Sequence, residues 1–298
     1  MQRFKVLLLL TSALLLSVHV AAQTSDDSLK KHCLQCEDLK NIRLPDVTIS
    51  LAEQIQEPTP HCKVSGIIGT EINFELLLPS NWNSRFVMGG GSGFAGSIFN
   101  MASSSINDGY ATSGTDTGHK GHVLKADWAL NNMERQVNFG HLAVHRTAVI
   151  SKEIIRQYYC SEIAYSYFWG CSRGGGQGMM EAQRYPEDFD GIVAGAPGFN
   201  WIAFGAKDIQ NSLAVYPNPE NFEEPNITLA NIELLSSLIL EKCDPLDGLK
   251  DSILNDPRDC NFDFDQLPRC EDEIPSEDCF VQIGKWKCSY DQTSFSLS

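Results

Sequence analysis

Nine small and polar residues, Gly170-Cys171-Ser172-Arg173-Gly174-Gly175-Gly176-Gln177-Gly178, separate two segments of different character. Before them, Ile163-Ala164-Tyr165-Ser166-Tyr167-Phe168-Trp169 is rich in aromatic residues and reads as a buried strand. After them, Met179-Met180-Glu181-Ala182-Gln183-Arg184-Tyr185 reads as a helix that stops at Pro186. A glycine turn with a serine at its tip, strand before and helix after, is the pattern of a nucleophile elbow. The glycines let the backbone reverse sharply and leave room beside the serine. The helix N-terminus behind the turn aims N–H groups and a partial positive charge at the same place. A serine hydroxyl is a weak nucleophile without a base and an oxyanion hole, so this is the local setting it needs.

The flanking pattern predicts the sheet that carries such an elbow. Residues 63–78 alternate as paired strands, and Arg85-Phe86-Val87-Met88 is a short buried strand. That strand runs into Gly89-Gly90-Gly91-Ser92-Gly93-Phe94-Ala95-Gly96. Such a glycine run supplies a second oxyanion donor, with Gly91 at its centre, or else is a flexible hairpin loop. Residues 109–118 read as a further strand and loop, and residues 133–159 as a long amphipathic helix interrupted at Gly140. His141 and His145 lie one turn apart on that helix. The glutamate of H-E-x-x-H is absent, so they read as packing or surface residues. Phe189-Asp190-Gly191-Ile192-Val193-Ala194-Gly195-Ala196-Pro197 is another strand. Strand, helix, strand around the elbow predicts an α/β class with a doubly wound, mostly parallel sheet, the α/β-hydrolase fold.

Residues 1–22 read as a signal peptide: Arg3 and Lys5 begin it, residues 6–18 are apolar, and Val20-Ala21-Ala22 offers a cleavage site. The expected destination is outside the cell, with no membrane association after cleavage. Ten cysteines are then legible as a disulfide set, and Asn226-Ile227-Thr228 as a glycosylation acceptor. Cys62 is the natural partner for either Cys33 or Cys36. A formal charge of −15 excludes nucleic acid and anionic membrane surfaces as expected partners.

From about Asn200 the composition shifts toward Asn, Pro, Glu and Cys, with a short amphipathic helix at residues 232–242. Cys243-Asp244-Pro245-Leu246-Asp247-Gly248-Leu249-Lys250-Asp251-Ser252-Ile253 then crowds three carboxylates around a glycine. Hard oxygen ligands on a folded loop suit Ca²⁺, although the spacing is not that of an EF-hand. An acidic, solvated turn is the equal alternative.

The stretch GCSRGGGQGMMEAQRYPEDFDGIVAGAP resembles the tannase and feruloyl esterase family, which also includes the mono(2-hydroxyethyl) terephthalate hydrolases. Further similar motifs are Cys36-Glu37-Asp38-Leu39, Pro60-His61-Cys62, Leu77-Leu78-Pro79 with Trp82-Asn83, Thr115-Asp116-Thr117-Gly118-His119 and CDPLDGLKDSI, so the resemblance runs roughly over residues 36–280. It implies a secreted serine hydrolase of aromatic esters (hydroxycinnamoyl, galloyl or similar) with a Ca²⁺-binding lid inserted after the strand ending GAP. Ser172 is then the nucleophile and Arg173 gives its backbone N–H to the oxyanion hole. The implied Ca²⁺ ligands are Asp244, Asp247 and Asp251 with the carbonyls of Leu249 and Ile253. The implied disulfides are Cys36–Cys62, Cys243–Cys260 and Cys270–Cys279, while Cys171 matches a cysteine whose family partner precedes the catalytic histidine. The implied layout is a signal peptide at 1–22, the N-terminal part of the hydrolase domain at 23–199, and a partial cysteine-rich lid at 200–298.

The family orders its triad serine, aspartate, histidine, whereas all seven histidines of this chain precede Ser172. The expectation is a fold incomplete at its C-terminal side. The ester hydrolase by descent then stands against a catalytically inactive truncated product or a non-catalytic binding protein.

Overall fold

The computed structural model describes residues 33–271, 276 and 278–280. The leader read at residues 1–22 and Cys288 lie outside the described residues. The chain forms two compact units that divide between Phe199 and Asn200.

Seven strands of the first unit form one mixed sheet. They are β1 (Val47–Ile55), β2 (His61–Ile68), β3 (Ile72–Pro79), β4 (Arg85–Gly89), β5 (Ala111–Thr115), β6 (Tyr165–Cys171) and β7 (Gly191–Gly195). Their order is β1-β2-β3-β5-β4-β6-β7. The first three pair antiparallel, and β3 meets β5 antiparallel. From β5 through β4 and β6 to β7 every pairing is parallel. In the parallel half, β4 lies between β5 and β6, so successive connections leave it in opposite directions. In α/β sheets that switch point, at the strands' carboxyl ends, is where ligand sites form. Here those ends are Gly89 and Cys171.

Alternation explains the sheet's core. Val64, Phe74, Leu76, Leu78, Phe86, Met88 and Phe168 are buried side chains from neighbouring strands. Burying each of these side chains stabilises the sheet by about 1.5–3 kcal/mol. The edge strand β7 is less covered, with Val193 59% exposed.

The segment read as one long helix is built in three pieces: α1 (Met133–Val137), a π-helical turn at Asn138–Leu142, and α2 (Ala143–Tyr159). Gly140 lies within the π turn, a wider winding that often sits near functional sites. Val144, Ala148, Ile154, Ile155 and Tyr158 make the buried stripe of α2. The helix ends at Cys160 in the left-handed conformation, φ 45°. Cys160 is bonded to Cys33, which joins two positions 127 residues apart, and Cys36 is bonded to Cys62.

The elbow helix α3 (Arg173–Arg184) starts directly after Ser172 and takes the glycines into its first turns. The sequence pattern placed them in the turn and began the helix at Met179. Close approach is what they serve. A Cβ on Gly175 would sit 2.2 Å from the carbonyl oxygen of Gly195, and one on Gly176 2.1 Å from that of Gly198.

In the second unit, α4 (Trp201–Val215) is a helix for which the sequence reading assigned no element, and α5 (Leu229–Cys243) contains the expected short helix. Thr228 caps α5, its hydroxyl accepting the Asn231 N–H, and Asn231 returns the bond to Thr228 N–H. Disulfides join Cys243 to Cys260 and Cys270 to Cys279.

Candidate active site

Ser172 stands exposed between β6 and α3 at φ 58°, ψ −119°. A non-glycine residue there is strained, by about 1–3 kcal/mol, and persists only where its surroundings hold it. Three backbone bonds do so. Ser172 N–H donates to Gly195 O (3.0 Å), and Ser172 O accepts from Gly176 (3.1 Å) and Gly198 (3.0 Å). The serine is thereby presented at the end of a parallel strand, with the N-terminus of α3 behind it. Arg173 is the first residue of α3, where a backbone N–H has no carbonyl one turn back to bond.

The glycine run follows β4 and packs against the same helix. Gly90 N–H donates to Trp169 O at 2.9 Å, and Gly91 N–H donates to Oε1 of Gln177 at 2.8 Å. Gly91 was the expected second oxyanion donor; its N–H is here engaged by a side chain of α3. The run continues under the segment after β5: Phe94 N–H bonds Val123 O, Gly96 N–H bonds Asp116 O, and a His119 ring nitrogen meets Phe94 O at 3.0 Å.

Arg173, Gln177 and Glu181 recur every fourth residue on α3, and all three are buried. The Arg173 guanidinium lies 4.0 Å from the Phe139 ring centroid and donates to the Phe139 carbonyl. The π turn is what brings that carbonyl and ring to it. Burial pushes the guanidinium down to about 10. This polar stripe was missed because the glycines were read as turn. A helix started at Arg173 would have shown the four-residue spacing.

No described histidine is hydrogen-bonded to Ser172. His61 meets Thr59 O, His122 the Leu124 N–H, His141 the Tyr185 hydroxyl and His145 the Asp188 carboxylate. His119 is buried and stacked on Trp128 at 3.6 Å. Burial pushes His119 below its usual value despite hydrogen bonds to the backbone of Phe94 and Thr117, and burial lowers His141 too.

Glu181 and Asp188 face each other beside His145. Ligand atoms of these three lie within 4.8 Å of one another, and they are the one group of three or more His, Cys, Asp or Glu to do so among the described residues. The chain thus contains a residue group able to hold a metal ion. Burial, with the neighbouring Asp188 charge, drives the Glu181 carboxyl well above the usual range.

The acidic loop of the second unit is closed by its own carboxylates. Buried Asp244 accepts the Asp251 and Ser252 N–H groups through Oδ1. Asp247 Oδ1 accepts from Leu249 N–H and Asp251 Oδ1 from Ile253 N–H. Gly248 takes the left-handed turn at φ 93°. The donors on offer are all oxygens, a chemistry that fits Ca²⁺; the three carboxylates are not drawn together within 4.8 Å. Asn226 is exposed just before the cap of α5. Cys171 is an exposed free thiol among the described residues.

The sequence model of tannase and feruloyl esterase matches residues 57–288. A mono(2-hydroxyethyl) terephthalate hydrolase of Piscinibacter sakaiensis is 35% identical over 236 residues, 69% of this chain and 39% of that protein. Feruloyl esterase B of Aspergillus niger is 31% identical over 275 residues, 84% of this chain and 51% of that protein. The crystal structure of feruloyl esterase B from Aspergillus oryzae superposes with a TM-score of 0.73 at 28% identity, over 83% of this chain and 53% of that one. The chain therefore spans between 39% and 51% of the length of these two sequence relatives.

Proposed function

The chain belongs to the tannase and feruloyl esterase family, and from that premise we propose that it carries the nucleophile of a secreted serine carboxylic-ester hydrolase acting on aromatic esters. The observation that carries this reading is Ser172, held strained and exposed at the start of α3 by three backbone bonds. In the reaction, Ser172 Oγ attacks the ester carbonyl and gives its proton to an imidazole base. The tetrahedral oxyanion is held by the Arg173 backbone N–H, the alcohol departs with the proton, and water then releases the acid. Gly91 adds a second donor only by exchanging Gln177 Oε1 for the oxyanion. With no described histidine bonded to Ser172, the base and its orienting aspartate fall to the part of the relatives that this chain does not span. Substrates of the relatives' kind, hydroxycinnamoyl, galloyl or terephthalate esters, fit this chemistry.

The reading also places Ca²⁺ on Asp244, Asp247 and Asp251 with the carbonyls of Leu249 and Ile253, in a lid. There the ion removes the repulsion of three crowded anions. Export is supported by the disulfides, and N-glycosylation at Asn226 by its exposure. No helix among the described residues is long and apolar enough to cross a membrane.

The test is release of ferulate, gallate and terephthalate from their esters by this chain and by Ser172→Ala. Release that disappears with Ser172 supports the reading. Release that persists in Ser172→Ala, or none from any ester under any condition, overturns it.

A further inference from the structure

We propose that His145, Glu181 and Asp188 form a binding site for a divalent cation of the zinc class, built from residues other than those of the acidic loop or of the ester chemistry. The three come from separate segments: His145 from α2, Glu181 from α3, and Asp188 from the chain between α3 and β7. Their ligand atoms nonetheless converge within 4.8 Å. One imidazole and two carboxylates are a borderline donor set, the kind Zn²⁺ takes at about 2.0–2.2 Å per ligand.

Between its two carboxylates the site has only the proton that Glu181 shares with Asp188, which a cation would displace. Glu181 is 1% exposed, and its Oε2 has no hydrogen-bond partner. His145 Nδ1 reaches Asp188 Oδ2 at 2.6 Å, which serves Asp188 alone. The other charged and polar groups nearby are already placed. Lys152 Nζ donates to the Asp188 carbonyl and lies 5.3 Å from the Phe189 ring centroid. No ion pair within 4.0 Å joins it to either carboxylate among the described residues. Asp190 accepts from Ser166, and His141 is bonded to the Tyr185 hydroxyl. With His145 serving Asp188 and only a shared proton serving Glu181, the buried pair is costly, and a cation between them serves both.

Access and orientation are also provided. The His145 side chain is 29% exposed, so one side of the group is open to solvent for entry and for water ligands. Tyr185 stacks on the His145 ring at 3.9 Å, with 10° between the planes, which fixes the imidazole's direction. The spacing of His141 and His145 suggested zinc but lacked a glutamate. The structure supplies that glutamate from another helix and leaves His141 outside the group. A bound ion would clasp the second half of α3, the helix that Ser172 begins, to α2.

The test is calorimetric titration of the chelator-treated protein with Zn²⁺, on wild type and on Glu181→Gln, His145→Gln, Asp247→Ala and Cys171→Ser. The expected result is one Zn²⁺ per chain. Affinity should fall at least tenfold in Glu181→Gln and in His145→Gln and be unchanged in the other two variants. His145→Gln keeps a hydrogen-bonding group toward Asp188, so it decides the matter if Glu181→Gln does not fold, as judged by circular dichroism. Absence of Zn²⁺ binding to wild type, full affinity in a folded Glu181→Gln or in His145→Gln, or loss in Asp247→Ala or Cys171→Ser overturns the proposal.

Discussion

The backbone N–H of Gly91 donates to Oε1 of Gln177 over 2.8 Å, joining positions 86 residues apart in sequence. The glycine run after β4 and the helix that begins at Ser172 are thereby one construction. A backbone N–H buried at such a place needs an acceptor, and Gln177 is the group that provides it.

Replacing Gln177 with leucine keeps the volume and removes the acceptor. Leaving the Gly91 N–H buried and unpaired should cost about 1–3 kcal/mol. Urea unfolding of Gln177→Leu beside wild type reads this as a lower midpoint at unchanged slope. An unchanged midpoint would mean that Gly91 finds water or another acceptor.

The α/β class of the sheet and the serine's position between strand and helix were legible in the sequence because both rest on local patterns: apolar runs, glycines and a proline stop. The polar stripe of α3 was not, because a glycine-rich helix start looks like a turn until its packing is seen. Gly175 and Gly176 have no room for a side chain because the carbonyls of Gly195 and Gly198 press against them inside the helix. The group at His145 was illegible for another reason: His145 is 36 residues before Glu181, and only the packing of α2 beside α3 brings them together. Helix α4 carries exposed Ile202, Phe204 and Ile209. Its apolar residues therefore make no buried stripe, and the sequence reading assigned no element there.

The burial of His119 has a pH consequence. Its ring is held below the usual 6.5, chiefly by burial, so the folded state binds fewer protons than the unfolded one as pH falls through that value. Its stabilising contribution is full above 6.5 and is lost as pH drops toward its lowered folded-state value. Denaturant midpoints measured from pH 7.5 down to pH 5 should fall more steeply for wild type than for His119→Phe, which keeps an aromatic ring on Trp128. Parallel profiles would show that another group sets the dependence. His141 shifts in the same direction and remains in both proteins.

The acidic loop makes a separate prediction. Asp247 is exposed and bonds only its own turn, through Leu249 N–H, so alanine there should leave the fold near wild-type stability. If the loop holds Ca²⁺, calorimetry should show binding that Asp247→Ala weakens at least tenfold. Added Ca²⁺ should raise the melting temperature of wild type and not of the variant. Equal Ca²⁺ binding by both would remove Asp247 from the ligand set.

Ser172 itself makes the sharpest prediction. Its backbone presents it to solvent, yet the described histidines are all engaged elsewhere, and His119 is buried against Trp128. A serine without an imidazole loses most of its catalytic advantage, typically several powers of ten in rate. This chain assayed alone should therefore release ferulate or gallate slowly. Because Ser172 is exposed, a small base can approach it from solution. Added imidazole should raise the rate in proportion to its concentration in wild type, beyond its own background hydrolysis, and should have no such effect in Ser172→Ala. Fast, Ser172-dependent release that ignores imidazole would mean that a base already stands beside the serine. His119→Phe, assayed the same way, would then show whether His119 is that base.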